Sequence, residues 1–141
     1  ISYAPDPATG RTTACPGFNV GTPTWTFTET ISETLGVGFT QENVSFTLYD
    51  DSGAVVYTDT FAEKYYFPPN SSFSEELCMG MFGGQSGFYA DVYEGIDDLG
   101  NRRAFPGGRL RLLPPAASVV SGLLIPPTSR PLIRGERRRI R

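Results

Sequence analysis

Histidine is absent from the 141 residues of this chain, and lysine occurs once, at Lys64. Without histidine the chain lacks the usual general base, the usual proton shuttle and the commonest metal ligand. A serine hydrolase would need Lys64 as its base, and no Gly-x-Ser-x-Gly segment is present to hold the serine. We therefore predict that the protein is not an enzyme and has no catalytic residue, metal ligand or cofactor.

Charge and long apolar runs are also scarce. Charged residues make up 19% of the chain. No run of 18 apolar residues occurs, so we predict no membrane span.

The chain begins with Ile1 and not with Met, which we interpret as the processed N-terminus of an exported protein. We expect a secreted protein, extracellular or at the cell surface.

Two cysteines are present, Cys15 and Cys78. An even count in a threonine-rich, lysine-poor chain favours a disulfide formed in an oxidising compartment. Such a bond would close a loop of about 60 residues and contribute about 4 kcal/mol to stability in the chain-entropy account. The alternative is two buried thiols.

Threonine, valine, tyrosine and phenylalanine are plentiful, and they alternate along the chain as strand residues do. From Thr24 to Ile31, threonines face one way and apolar side chains the other, interrupted by Glu29, which we expect near a sheet edge or beside a partner. Asp50-Asp51-Ser52-Gly53 and Asp97-Asp98-Leu99-Gly100-Asn101 are typical hairpin turns. About six or seven short strands result, which predicts a two-sheet sandwich.

The chain divides into three parts. We predict an irregular lead-in over residues 1–22, a β-sandwich domain over 23–113 and a Pro/Arg-rich extended tail over 114–141. The hairpin turns, together with Thr28-Glu29-Thr30 and Gly36-Val37-Gly38, resemble those of immunoglobulin-like sandwich modules of secreted bacterial proteins. The resemblance covers residues 24–105. It implies an immunoglobulin-like two-sheet antiparallel sandwich without an active site.

The charges are distributed unevenly. Residues 1–108 contain four basic and fourteen acidic side chains, whereas residues 109–141 contain eight arginines and one glutamate. An acidic domain with a basic tail indicates an interaction through that tail. Nucleic acid is one possible partner of such arginines and a solvated end is another outcome. We favour the acidic domain of the same or a neighbouring copy, and not nucleic acid.

Two further sets of residues were candidates for chemistry. The adjacent pairs Asp50-Asp51, Glu75-Glu76 and Asp97-Asp98 do not predict a catalytic dyad, because neighbours on a strand point to opposite faces. Two of the pairs lie in predicted turns, where aspartate bonds to the local backbone, and a structural role fits the pairs better than calcium binding. Tyr65, Tyr66, Tyr89 and Tyr93 are a possible glycan-stacking platform, and ordinary strand packing is the alternative.

Two functions remain. The first is an extracellular structural subunit that assembles with copies of itself, in a filament-like manner, through its tail. The tail would pair as a strand along nine residues and meet an acidic surface through its arginines. The assembly residues are Ala117, Val119, Leu123, Ile125, Arg134, Arg137, Arg138, Arg139 and Arg141. The second is a secreted binding or adhesion module that recognises a glycan or another surface protein.

Overall fold

The computed structural model describes residues 1–11, 23–80 and 86–115. These residues form nine strands and no helix, which confirms the all-β prediction. The strands are β1 (Ser2–Ala4), β2 (Ala8–Thr9), β3 (Thr24–Ser32), β4 (Phe39–Tyr49), β5 (Val55–Phe67), β6 (Ser72–Gly80), β7 (Gly87–Asp97), β8 (Arg102–Pro106) and β9 (Leu110–Leu113). In this part of the chain there is no helix long and apolar enough to cross a membrane.

The strands form two sheets, as the alternation predicted. The first sheet has the order β1-β3-β6, and the second has the order β2-β9-β7-β4-β5, with β8 also paired to β7. All of these pairs are antiparallel except β2 with β9, which is parallel. The two sheets enclose a common core, so the domain is a β-sandwich.

The predicted irregular lead-in is wrong for its described part. β1 pairs with β3 in the first sheet, and β2 then pairs with β9 in the second sheet. The chain crosses between the sheets at Pro5 and Pro7, each of which follows a cis peptide bond. Strands of two or three residues are too short for an alternating pattern to reveal them. Their formation depends on pairing with distant strands, which the local sequence does not show. The rest of the lead-in lies outside the described residues.

Both predicted hairpins are confirmed. β4 pairs with β5 across the turn at Asp50–Gly53, and β7 pairs with β8 across the turn at Asp97–Asn101. β5 extends to Phe67, because its pairing with β4 continues past a bulge. Residues 107–109 separate β8 from β9, and both strands lie along the same neighbour, β7.

The core fills the space between the sheets in two adjoining clusters. The larger one surrounds Trp25, Phe27 and Leu48, and the smaller one contains Phe39, Phe67 and Tyr93. As predicted, the side chains of β3 alternate, with Trp25 and Phe27 buried and the intervening threonines turned outward. Burial of one face of each sheet is the main driving force for this fold.

The end of β9 marks one end of the sandwich, which we call the tail end. There the indole Nε1 of Trp25 donates a hydrogen bond of 2.6 Å to the carbonyl oxygen of Leu113. A Cβ on Gly10 would lie against the ring of Pro115, so these two residues are also in close contact. The described chain therefore stays attached to the domain until Pro115, and the tail continues from this end.

Candidate binding site at one end of the sandwich

A pocket opens at the opposite end, which we call the pocket end. It has a volume of about 310 Å³, and both sheets contribute to it: Ile31 comes from β3, and Phe39 and Phe67 come from β4 and β5. The full lining consists of Ile1, Ile31, Ser32, Glu33, Thr34, Leu35, Phe39, Phe67, Tyr93, Phe105 and Pro106. A mainly apolar pocket of this size with a few polar groups at its mouth is typical of a binding site.

Aromatic rings build the wall of this pocket. Phe39 stacks on Phe67 at 6.2 Å between ring centroids and meets the edge of Phe105 at 4.9 Å. Phe67 in turn meets the edge of Phe73 at 6.3 Å. These contacts fix the rings against one another, because each ring is held by a neighbour from another strand. The pocket is therefore preformed by the packing of the small core cluster.

The mouth of the pocket is a loop held by one carboxylate. Glu33 accepts hydrogen bonds from the backbone amides of Asn70 (2.7 Å), Leu35 (2.7 Å) and Gly36 (3.1 Å). The bond from Asn70 is the main reason that the pKa of Glu33 lies below its usual value. These bonds hold Leu35 in a position where 79% of its surface is exposed. An exposed leucine at the mouth of an aromatic pocket is suited to contact an apolar partner.

Two buried carboxylates lie behind the pocket and join the sheets. Glu29 of β3 accepts a hydrogen bond of 2.7 Å from the hydroxyl of Tyr93, which belongs to the second sheet. Asp91 of β7 accepts bonds from Tyr3 (2.7 Å) and Tyr89 (3.0 Å). Glu29 and Asp91 are 0% and 1% exposed. Glu29 is thus not at a sheet edge, since β3 is the central strand of its sheet, but it does have the expected partner.

The environment of Tyr3 determines the protonation state of its hydroxyl. Burial raises the pKa of the Tyr3 hydroxyl well above its usual range, and the nearby charge of Asp91 and the bond to it raise it further. The hydroxyl therefore stays protonated and donates to the carboxylate. Such hydroxyl–carboxylate pairs satisfy buried charge and link the two sheets, and no reacting group is needed to explain them.

Two of the three carboxylate pairs have local partners in turns, whereas Glu75-Glu76 lies within β6. Asp50 accepts bonds from the amides of Ser52 and Ala54, both at 2.9 Å. Asp97 accepts from the amide of Asn101 at 2.8 Å and from Nε of Arg103 at 2.8 Å. Although its shielding from water would raise the pKa of Asp97, these bonds lower it to about 2. In the part of the chain that is described, no group of three or more acidic, cysteine or histidine residues is placed to hold a metal ion.

The four tyrosines of the predicted glycan platform do not share a surface, so this prediction is wrong for the set as a whole. Tyr89 and Tyr93 are 1% and 2% exposed because they face the core from β7. Tyr65 packs against Phe73 at 5.1 Å, whereas Tyr66 faces outward and donates to Asp98. The sequence pattern could not show which face of β7 is buried, since both faces contain large side chains.

The edge of the second sheet is a further candidate surface. β5 has thirteen residues, and within the described residues it pairs with β4 alone. Its first residues, Val55 and Val56, are 61% and 40% exposed. An open edge of this length presents backbone groups to which another extended chain can hydrogen-bond.

Two arginines of the basic C-terminal part belong to the domain itself. The guanidinium of Arg109 lies over the ring of Tyr49 at 4.5 Å, and that of Arg111 lies over Phe88 at 4.7 Å. Arg111 also forms an ion pair of 2.5 Å with Asp51. These two arginines therefore contribute to packing on the outer face. The other six arginines of residues 109–141 lie in the tail.

Several predicted site residues are outside the described ranges. They include every assembly residue of the tail, from Ala117 to Arg141, and also Cys15. Cys78 lies on β6, where its sulfur is 3.5 Å from the hydroxyl oxygen of Thr26. The disulfide between Cys15 and Cys78 thus remains a prediction.

Comparisons with known proteins support the fold and do not extend to a function. No protein-family model and no curated protein matches the chain. Among solved structures it is similar to the "X-ray structure of Northeast Structural Genomics Consortium target SoR45", with a TM-score of 0.57 and 15% sequence identity. The match covers 79% of this chain and 85% of that chain. At this level of identity the similarity shows a shared fold alone.

Proposed function

We propose that this chain is a non-catalytic structural subunit of an extracellular assembly, joined head-to-tail to copies of itself by its C-terminal tail. We also propose that its sandwich is immunoglobulin-like. The order β9-β7-β4-β5 in one sheet, facing β3 and β6 in the other, supports this assignment because immunoglobulin-like domains divide their strands in the same way.

The observation that carries the proposal is the open edge of β5. Thirteen residues of strand, with exposed Val55 and Val56 at the start, offer a template for an added strand. Main-chain hydrogen bonds along such an edge supply affinity, and alternate side chains supply specificity. The edges of free-standing proteins are usually short or blunted by charge, and β5 contains Asp59, Glu63 and Lys64 farther along the strand. The exposed valines at its start are the uncharged part of this edge, and they favour occupation by another chain.

The tail has the composition of the complementary strand. Its apolar residues recur from Ala117 to Ile125, and proline pairs precede and follow them. Its arginines have opposite charge to the domain, in which acidic residues outnumber basic ones. Because the donor and acceptor are different surfaces, each copy can bind one neighbour at each surface, and contacts of this type produce filaments when they do not close into a ring.

Removal of the tail tests the proposal. We expect the full chain to form large species in light scattering and ordered polymers in electron microscopy. A chain that ends after Pro115 keeps the contacts of Trp25 and Gly10 and should remain at the mass of a single subunit. Equal assembly of the two chains would refute the proposed role of the tail.

A second variant tests the edge. Val55→Lys places a charge on the open strand, and we expect it to reduce assembly because a lysine repels the basic tail and blunts the edge. Leu99→Lys is the matched control, since Leu99 is 71% exposed and lies in the turn between β7 and β8, away from Val55. Equal loss of assembly in both variants would show that the effect is not specific to the edge.

A further inference from the structure

We propose that the pocket of one copy receives the first side chains of the apolar tail segment Ala117–Ile125 of the next copy, and that the segment then continues along the edge of β5. This inference rests on the proposed function and adds the site at which the tail is anchored. It predicts a fixed direction for the assembly, because donor and acceptor lie at opposite ends of the same domain.

The polarity of the domain supports this arrangement. Trp25, at the start of β3, holds Leu113 at the tail end, whereas Ile31, near the end of β3, lines the pocket. Trp25 and Ile31 are six residues apart on β3, which separates these two ends by about 20 Å. Stacking two copies end to end brings the tail of one directly to the pocket of the other.

The spacing of the tail favours binding in trans. The apolar segment begins two residues after Pro115, so in a stacked pair it reaches the neighbouring pocket at once. To reach the pocket of its own domain, the tail would have to travel back about 20 Å, which consumes about six extended residues. Ala117 and Val119 would then be used for the crossing and would not enter the pocket.

The pocket is continuous with the open edge. Phe67 is the last residue of β5 and also forms the wall of the pocket. A chain that leaves the pocket therefore starts at the end of β5 and can continue along its edge toward Val55.

The chemistry of the pocket also fits aliphatic side chains. Its volume of about 310 Å³ is at the lower end of the range for ligand pockets, which suits a few side chains better than a large ligand. Ser32 and Thr34 at the mouth offer polar atoms for the backbone of an entering segment. Leu35 extends the apolar surface outward from the mouth.

Two exposed leucines provide a matched test in the full chain. Leu35→Arg places a positive charge at the mouth of the pocket, and we expect it to shift the protein from large species to single subunits at equal concentration. Leu99→Arg adds the same charge at the same end of the sandwich, at a similarly exposed position that does not line the pocket, and it should assemble more than Leu35→Arg does. Normal assembly of Leu35→Arg would overturn the inference about the pocket.

Crosslinking between copies tests the same contact without relying on loss of function. Full chains with Leu35→Cys and full chains with Val119→Cys are mixed under oxidising conditions, and we expect a linked pair of subunits. Replacing Leu35→Cys by Leu99→Cys should abolish the link. Equal linkage in both mixtures would overturn the inference. A double variant with both Leu35→Cys and Val119→Cys gives a second test, and a link that forms only within single chains of this variant would also overturn the inference.

The proposed function and the inference about the pocket can fail separately. If the chain ending after Pro115 assembles like the full chain, the tail does not drive assembly and the proposed function fails with the inference. If removal of the tail abolishes assembly but Leu35→Arg has no effect, the tail binds elsewhere. In that case the proposed function stands and the pocket is not its receptor.

Discussion

The hydroxyl of Tyr3 offers the sharpest test of the buried network that joins the two sheets. We consider Tyr3→Phe, which removes one oxygen and keeps the ring. The edge-on contacts of this ring with Phe27 at 5.9 Å and Tyr89 at 5.8 Å should persist. The change therefore isolates the hydrogen bond of 2.7 Å to Asp91.

The magnitude follows from the burial of Asp91, which is 1% exposed. A hydrogen bond to a charged group contributes about 2 kcal/mol, and a buried acceptor that loses its donor is not compensated by water. We expect the free energy of unfolding to fall by about 2 kcal/mol in Tyr3→Phe. Urea denaturation measures this free energy. The slope of the unfolding free energy against urea concentration should stay unchanged, because the folded state remains compact.

Tyr66→Phe is the matched control. Tyr66 also donates its hydroxyl to an aspartate, Asp98, but the pair lies on the outer surface. Water can replace an exposed partner, so this variant should lose much less stability. If Tyr66→Phe is destabilised as strongly as Tyr3→Phe, the buried network has no special role in joining the sheets.

Alkaline pH gives an independent measure of the same hydroxyl. The pKa of Tyr3 is raised in the folded state, from 10.0 in the unfolded state, so its stabilisation is fully present below pH 10. As the pH rises further, the unfolded chain loses this proton first, and stability should fall by up to about 1.4 kcal/mol per pH unit from this group. The decline should be less steep in Tyr3→Phe, and identical slopes in the two proteins would contradict the assignment.

Four further outcomes are expected. Gly107→Ala should cost about 2 kcal/mol in urea denaturation, because a Cβ there would collide with Asp91 and the Tyr3 hydroxyl, whereas Gly108→Ala meets only an ordinary contact and should be nearly neutral. Asp97→Asn should be less stable than the unchanged chain above pH 4, and the difference should shrink below pH 4 and vanish only below pH 2, because the pKa of Asp97 is lowered from 3.8 to about 2; a difference that stays constant between pH 4 and pH 2 would contradict this. The single tryptophan, Trp25, is 0% exposed, so its fluorescence should be blue-shifted and resist quenching by acrylamide, and easy quenching would contradict its burial. If Cys15 and Cys78 are bonded, the unreduced unfolded protein should not react with iodoacetamide, and reduction should lower the free energy of unfolding by about 4 kcal/mol.

Much of the strand pattern was predictable because it depends on local order in the sequence. The alternation around Trp25 and Phe27 identifies a half-buried strand, since successive side chains of a strand point to opposite faces. The turns at Asp50–Gly53 and Asp97–Asn101 were recognisable because aspartate accepts bonds from the amides that follow it and glycine permits a positive φ.

The candidate site was not predictable in the same way. Ile31, Phe39, Phe67 and Phe105 are separated by many residues in sequence, and no spacing rule brings them together. The one available signal was an exception to the pattern: Glu29 interrupts an apolar face. A buried carboxylate needs a donor, so this interruption indicates a partner across the core, although it cannot identify Tyr93.

The sequence by itself determined an all-β chain, its two main hairpins and the opposite charges of the domain and tail, because alternation, turn chemistry and charge are local or additive properties. The tertiary structure alone decided which face of β7 is buried, how β1 and β2 divide between the sheets, and where the pocket opens. These features depend on pairing between strands that are far apart in the chain. Only closure of the two sheets over a common core brings such strands into contact.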